Sequence, residues 1–294
     1  MKLIWNLTND CLFNCTICAA SANLRKKMYI NKHKILESIL SIGKNNVCID
    51  FGGGDPLINK DDINLIKKTA EIIGKENISI STTGLSLEKL TDDEILELAK
   101  NYDLTYDFPI KYNDLDKRDK RYNYKNFEQG KRINKLGLNL NIFIPLQSME
   151  EYLLNELVKD LIELNPKTIS IIRLMPVGFL DYNDLIVFDE EKAFNTLKLK
   201  LLDNNYKGTI KATCSLRTVL KEEKGCNMLN EKYGIDHLGN LYSCIWGADL
   251  LDNDNPFLLG NLLEKDMFEL IHNYNLSFNQ NDCAIYQYVK KKKL

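Results

Sequence analysis

From residue 2 to residue 174 the chain alternates between short runs that read as strands and longer runs with helical spacing of apolar residues. The strand-like runs are 2–8, 46–51, 78–82, 102–108, 138–144 and 167–174, and the helix-like runs between them are 31–42, 61–73, 87–99, 124–135 and 149–164. A strand–helix rhythm of this length predicts an α/β fold with a parallel sheet and right-handed crossovers. Thr91-Asp-Asp-Glu94 has the form of a capping box inside the third helical run. In parallel barrels ligand sites lie at the C-terminal ends of the strands, so the loops after the strands are where chemistry is expected. The rhythm changes near residue 205. A helical run at 189–202 gives way to a turn-rich stretch with Gly208, Gly225, Gly234, Gly239, Gly247 and Gly260. The expected division is a first domain at 1–205 and a second at 206–294.

Composition narrows the function. With 294 residues, the chain buries a full core. Its 39 basic and 41 acidic residues give a formal charge of -2, which offers no electrostatic case for nucleic acid or a membrane surface. No apolar run approaches the roughly 20 residues of a membrane-spanning helix, and the run at 3–5 is too short for a signal-peptide core. Eight cysteines in a chain expected to be cytoplasmic point to metal or redox use rather than disulfides.

Three of these cysteines fall on the loop after the first strand. Cys11, Cys15 and Cys18 form C-x3-C-x2-C, with no fourth cysteine or histidine beside them. Buried structural thiols, a disulfide set and a zinc knuckle are the plain alternatives. Buried thiols seldom cluster three in eight residues, disulfides need a secreted context, and a closed zinc site wants four ligands. A 4Fe–4S cluster is normally held by four thiolates, so three would leave one iron open to another ligand.

This spacing resembles the signature of the radical S-adenosylmethionine (radical SAM) enzymes. The resemblance implies a partial (βα)6 TIM-like barrel, with a 4Fe–4S cluster on Cys11, Cys15 and Cys18 whose free iron binds the amino and carboxylate groups of SAM. Ile17 stands where the family usually places an aromatic residue beside the adenine. Gly53-Gly-Asp-Pro56, after the second strand, resembles the family's G-G-E-P motif. Gly53, Gly54, Asp55 and Pro56 are thus implied to bind the SAM amino group, with an aspartate in place of the glutamate. Read from its residues alone, this run is a glycine-rich turn with a carboxylate suited to gripping an ammonium. Ser81-Thr-Thr-Gly84 resembles T-N-G at the third strand's end and brings in Thr82. Thr105-Tyr-Asp107 resembles the S-x-D that contacts the ribose, through Thr105. Asp116–Arg121, before the aromatic helix start at Tyr124, resembles D-K-x-R and makes Arg121 the candidate for the SAM carboxylate. A solvated charge run is the alternative for Arg118 and Arg121. Arg173-Leu-Met-Pro-Val-Gly178 resembles the R-x-M-P-x-G of peptide-modifying members. It implies that Arg173 faces the barrel mouth and that Met175 packs near SAM, with ordinary core packing the alternative for Met175.

The later cysteines form a second set. Cys226, twelve residues, Gly239, four residues and Cys244 match C-x9-15-G-x4-C, the opening signature of the SPASM and twitch extensions. The segment 237–245 reads as a hairpin turning at Gly239-Asn240. The full SPASM tail motif is missing, since only Cys283 follows, which favours the shorter twitch type: a small α+β iron–sulfur extension. The resemblance implies a second, auxiliary 4Fe–4S cluster on Cys226, Cys244 and Cys283. Cys214 is either the fourth ligand or a thiol that donates a hydrogen atom to a substrate radical. Zinc stands as the alternative metal. Cys48, inside a strand pattern, reads as a buried small hydrophobe.

The implied reaction is reductive cleavage of SAM, driven by a flavodoxin- or ferredoxin-type reductant, followed by hydrogen abstraction from the substrate. Twitch and SPASM relatives act largely on ribosomally made peptides, so the expected substrate is a precursor peptide and the expected outcome an epimerised residue or a crosslink. With the first strand beginning at Lys2, no separate N-terminal peptide-recognition domain is expected. Dehydrogenation of an aminocyclitol is the small-molecule alternative, and a non-enzymatic iron–sulfur electron carrier the other.

Overall fold

The computed structural model describes residues 1–13, 15, 17–23, 30–107, 124–180, 185, 187–222, 226, 232–250, 254–274 and 282–292. The first half alternates as the sequence predicts. β1 (Lys2–Thr8), α1 (Lys32–Leu40), β2 (Cys48–Gly53), α2 (Lys60–Ile73), β3 (Ile78–Thr82), α3 (Asp92–Asn101), β4 (Asp103–Asp107), α4 (Tyr124–Lys135), β5 (Asn141–Leu146), α5 (Glu151–Leu164), β6 (Thr168–Arg173) and α6 (Glu190–Asp203) follow in order. Helix starts are set by side chains that satisfy the open N–H groups of the first turn. Asn31, Asn59 and Asp189 each accept such a bond. Thr91 and Glu94 form a complete capping box. That box fixes the start of α3 after Thr91, later than the periodicity suggests. The preceding apolar residues form instead a short 3₁₀ segment, Leu85–Lys89.

The sheet does not end at β6. β7 (Thr209–Thr213) pairs with β6 in parallel, and after the short helix α7 (Leu216–Val219) the chain returns to the opposite side. There β8 (Lys232–Ile235) pairs in parallel with β1. β9 (Asn240–Tyr242) and β10 (Leu258–Asn261) continue antiparallel, followed by α8 (Met267–His272) and α9 (Ala284–Lys292). The strand order is β10-β9-β8-β1-β2-β3-β4-β5-β6-β7. Residues beyond 205 therefore extend both sides of the sheet that the earlier residues build. The β8–β9 hairpin is present as expected, with Gly239 in the left-handed region at φ 84° and Asn240 as the first residue of β9.

Alternation along each strand separates two faces. In β1, Leu3, Trp5 and Leu7 are fully buried against the helices, together with Ile49 and Phe51 of β2 and Ile78 and Ile80 of β3. Each such side chain contributes about 1.5–3 kcal/mol on burial. The intervening residues, among them Ile4, Asn6, Asp50, Ser81 and Thr105, face a central cavity of about 670 Å³. A second apolar cluster joins Met175 and Val177, after β6, to Tyr242, Ile245, Phe257 and α9. Cys48 is exposed, contrary to the sequence expectation. It opens β2 on the face opposite Ile49 and Phe51, where its thiol donates to Asn77 Oδ1 at 3.2 Å. Among the described residues no helix is long and apolar enough to cross a membrane.

Candidate functional site

The cysteine loop leaves the C-terminal end of β1 and is held from two sides by backbone. Gly54 N–H donates to Thr8 O at 2.8 Å and Asp55 N–H to Asp10 O at 2.7 Å. A Cβ on Gly54 would stand 2.1 Å from Asp10 O, and one on Gly53, at φ +108°, 2.4 Å from Thr8 O. The glycines of the second loop are thus required by its close approach to the first. On the other side Phe179 N–H donates to Cys18 O at 3.2 Å, and a Cβ on Gly178 would lie 2.4 Å from the same oxygen. Asn23, in the left-handed region at φ 67°, ties the loop to itself: its side chain accepts from Cys11 N–H and donates to the carbonyls of Cys11 and Phe13.

Backbone donors reach these sulfurs, Phe13 N–H on Cys11 Sγ at 3.4 Å and Ala22 N–H on Cys18 Sγ at 3.5 Å. Amide donors aimed at sulfur favour thiolates and tune an iron–sulfur cluster. All three cysteines line the central cavity. Among the described residues no three His, Cys, Asp or Glu side chains converge where a single metal ion would sit. A cluster differs from an ion in this respect, because it spreads its thiolates over separate irons. The donor set and its amide partners fit such a group.

Several expected cofactor residues share that cavity. Ile17, Gly53, Gly54, Thr82, Thr105, Arg173 and Met175 all line it. Arg121 and Arg118 lie outside the described residues. Pro56 is buried behind the glycines, away from the cavity wall. Asp55 departs from the sequence expectation of an ammonium grip. Its carboxylate is fully buried and turned away from the cavity. Leu57 N–H, Thr83 N–H and the hydroxyls of Thr82, Thr83 and Ser86 donate to it, at 2.6–3.2 Å. Burial pushes its pKa up, and the hydrogen bonds from Thr83, Leu57, Ser86 and Thr82 pull against that rise. Asp55 therefore braces the end of β2 against the end of β3, leaving the glycine backbone to face a ligand.

Arg173 reaches the cavity from the end of β6. Its Nε–H donates to Glu190 Oε1 at 2.7 Å, and its guanidinium stacks 3.6 Å from the ring centroid of Tyr286 on α9. Tyr286 in turn donates its hydroxyl to Leu174 O. The last helix is thereby fastened to the sixth strand beside the cavity.

The four later cysteines share one neighbourhood, close enough for their charges to act on one another but without three converging on a single-ion position. Cys244 has its pKa raised well above the usual thiol range by burial first and then by the charges of Cys214, Cys283 and Cys226. Cys283 is pushed up to about 12 by burial and by Cys214 and Cys226. None of the eight cysteines is in a disulfide. Neighbouring thiols that repel one another as thiolates, two of them held up by burial, are a poor arrangement alone, and a bound metal centre relieves both costs by replacing their protons. Cys214 alone of the four also lines the central cavity. It sits in the left-handed region at φ 51°, uncommon for a residue with a Cβ. Its sulfur accepts the indole N–H of Trp246 at 3.1 Å. Trp246, Thr83 and Ser86 are the residues that the sequence reading passes over. The one signal for Trp246 was an aromatic two places after a cysteine in a turn-rich stretch.

Comparison with known proteins places this geometry in context. The profile of the Radical SAM superfamily matches residues 5–160. Among curated proteins, GTP 3',8-cyclase of Alkaliphilus metalliredigens is 26% identical over 182 residues, covering 59% of this chain and 56% of that protein. A 7,8-dihydro-6-hydroxymethylpterin dimethyltransferase of Methanocaldococcus jannaschii is 29% identical over 89 residues, covering 29% of this chain and 17% of its own length. The chain thus spans little more than half of the first of these relatives. Among solved structures, Streptococcus suis SuiB bound to the precursor peptide SuiA superimposes with a TM-score of 0.72 at 17% identity, over 93% of this chain and 64% of that one. The enzyme anSMEcpe with bound AdoMet superimposes with a TM-score of 0.65 at 17% identity, over 98% and 79%.

Proposed function

The chain belongs to the radical SAM superfamily, and from that premise we propose that it modifies a ribosomally made peptide, using a 4Fe–4S cluster on Cys11, Cys15 and Cys18. When bound, the cluster supplies the electron that cleaves SAM into methionine and a 5′-deoxyadenosyl radical, and that radical removes a hydrogen atom from the substrate. The observation that carries the reading is the shared cavity: the three cysteines line one chamber with the glycine backbone of 53–54, Ile17, Thr82, Thr105 and Met175. In it Gly53 and Gly54 present backbone to the SAM amino group, Thr105 its hydroxyl to the ribose, and Ile17 and Met175 apolar surface to the adenine. Arg121 is the proposed partner of the SAM carboxylate. Support for a peptide comes from SuiB and anSMEcpe, whose structures contain the peptides SuiA and Cp18Cys.

We assign Cys214, Cys226, Cys244 and Cys283 to a second 4Fe–4S cluster of the twitch type. With Cys214 as a ligand, held by Trp246, it is withdrawn from the role of hydrogen-atom donor. A cluster held by these four residues would supply an electron acceptor for the substrate radical, and with Cys214 withdrawn as donor that favours an oxidative outcome, a crosslink or dehydrogenation, over epimerisation. Residues 1–205 hold SAM and 206–294 the second cluster. That division is one of chemistry, since β7–β10 belong to the same sheet. A flavodoxin or ferredoxin supplies the electron, and the proposed location is the cytoplasm.

The test is anaerobic reconstitution with SAM, dithionite and candidate precursor peptides, followed by mass spectrometry. The expected product has lost two hydrogens. A gain of one mass unit in deuterated water would instead mean epimerisation, and absence of 5′-deoxyadenosine under every condition would falsify the radical reading. GTP is the control substrate, because the curated relatives are named GTP 3',8-cyclase.

A further inference from the structure

Barrels of parallel strands are ordinarily filled by branched aliphatic side chains. Here most inward positions are small or polar, with Ile4, Phe143 and Ile172 the large apolar ones, and the cavity that begins at the cysteine loop continues to the N-terminal ends of the strands. At that lower mouth it is lined by Lys2 at the start of β1, Lys167 just before β6, Lys211 in β7 and Lys232 at the start of β8. Two carboxylates share the mouth. Asp50 lies 3.7 Å from Lys2 Nζ, and Asp103 accepts from Asn141 Nδ2 at 2.7 Å. Lys167, Lys211 and Lys232 form no ion pair among the described residues. Lys2 and Lys232 are also direct register partners across the β1–β8 pair. Like charges side by side on a sheet cost stability. Neutral residues in place of Lys167, Lys211 and Lys232 would serve the fold as well, and a local cost without structural return marks a functional position.

We propose that the lower mouth is a carboxylate-binding subsite, which holds an acidic residue or terminal carboxylate of the peptide substrate while another residue of that peptide reacts beside the cysteine loop. This rests on the peptide reading given above. β1 runs from the lysine mouth to the cysteine loop, and its six steps at about 3.3 Å span about 20 Å. An extended peptide covers that distance in about six residues, which sets the spacing between the acidic group and the modified residue. Carboxylate suits the mouth better than polyphosphate. Asp50 and Asp103 cut the net charge of the described lining groups there to two positive, and they would repel a cluster of negative oxygens. The mouth also offers no arginine fork among its described lining residues.

The experiment uses the full chain, reconstituted anaerobically, and labelled hexaglutamate as probe. Binding is compared for the wild type, the Lys211→Gln/Lys232→Gln double variant and the Lys211→Arg/Lys232→Arg double variant, with SAM affinity measured on each preparation. Hexaglutamate binding is expected to weaken about tenfold or more in the glutamine variant, from the loss of two charge-assisted contacts. It should persist in the arginine variant, fall with added salt, and leave SAM affinity unchanged. Unaltered binding in the glutamine variant, equal binding of hexalysine, or tighter lysine-dependent binding of tripolyphosphate than of hexaglutamate would each overturn the proposal. Release of 5′-deoxyadenosine without any peptide is assayed separately, so failure of the reaction and failure of the subsite are read independently.

Discussion

Asp55 shows what a single side chain does once its neighbours are known. Five donors surround a carboxylate that water does not reach. Removing it in Asp55→Ala leaves buried donors unpaired at about 1–3 kcal/mol for each group left unsatisfied. The variant should unfold at lower urea by a free energy of about 2–4 kcal/mol, while Asp55→Asn, which keeps an acceptor, loses less. The pH dependence has a definite sign. The folded-state pKa lies above the ordinary 3.8, so the native state holds this proton more tightly than the unfolded chain does. The contribution of Asp55 is complete below pH 3.8 and is lost as the pH rises through the folded-state value. Urea titrations at a series of pH values should show that decline in the wild type and a shallower one in Asp55→Asn. The sequence revealed a carboxylate beside glycines. It did not reveal that Thr82, Thr83 and Ser86, some thirty residues on, would close over it. For Cys48, likewise, a strand pattern was legible and the face was not.

At the level of elements, local signals proved decisive where they were chemical rather than periodic. The threonine and glutamate of the capping box place the start of α3 where apolar spacing misplaced it. Thr91→Ala should cost about 1 kcal/mol and lower the melting temperature by a few degrees, checked by calorimetry, with no effect on SAM binding. The loops after β1, β2 and β6 form one clamp, and the sequence exposes it as three separate motifs. Contact among them is visible only in the hydrogen bonds from Gly54, Asp55 and Phe179 to the cysteine loop. The second cysteine set is an element-scale assembly too: Cys214 follows β7, Cys244 follows β9 and Cys283 precedes α9. Cys244→Ser should lower bound iron from about eight to about four per chain, read by iron and sulfide analysis. Cleavage of SAM without peptide should survive in that variant. Loss of both clusters together would contradict the assignment of two separate sites.

For the whole molecule, strand–helix alternation made the first six strands and the α/β class readable, because each unit carries its own periodicity. β7 and β8 were not readable as members of the same sheet. β7 is short, largely polar and partly exposed, and β8 is four residues long. Their placement comes from pairing partners distant in sequence. The lysines of the lower mouth escaped notice for the same reason: residues on β1, β7 and β8 and before β6 meet only when the sheet curves. The pairing of β1 with β8 also carries a consequence for how the protein is made. Lys2 leaves the ribosome well ahead of its partner Lys232, which follows 230 residues later, about 10–50 s at ordinary rates of synthesis. The cysteines at 11, 15 and 18 are therefore exposed to solvent, oxygen and stray metals until β6 and Gly178 arrive to clamp their loop. The later set cannot assemble until Cys283 has emerged. On the proposed two-cluster reading, the first site loads only after Gly178 has emerged and the second only after Cys283, and cells short of iron–sulfur delivery should accumulate a protein whose β1 lacks its final neighbour.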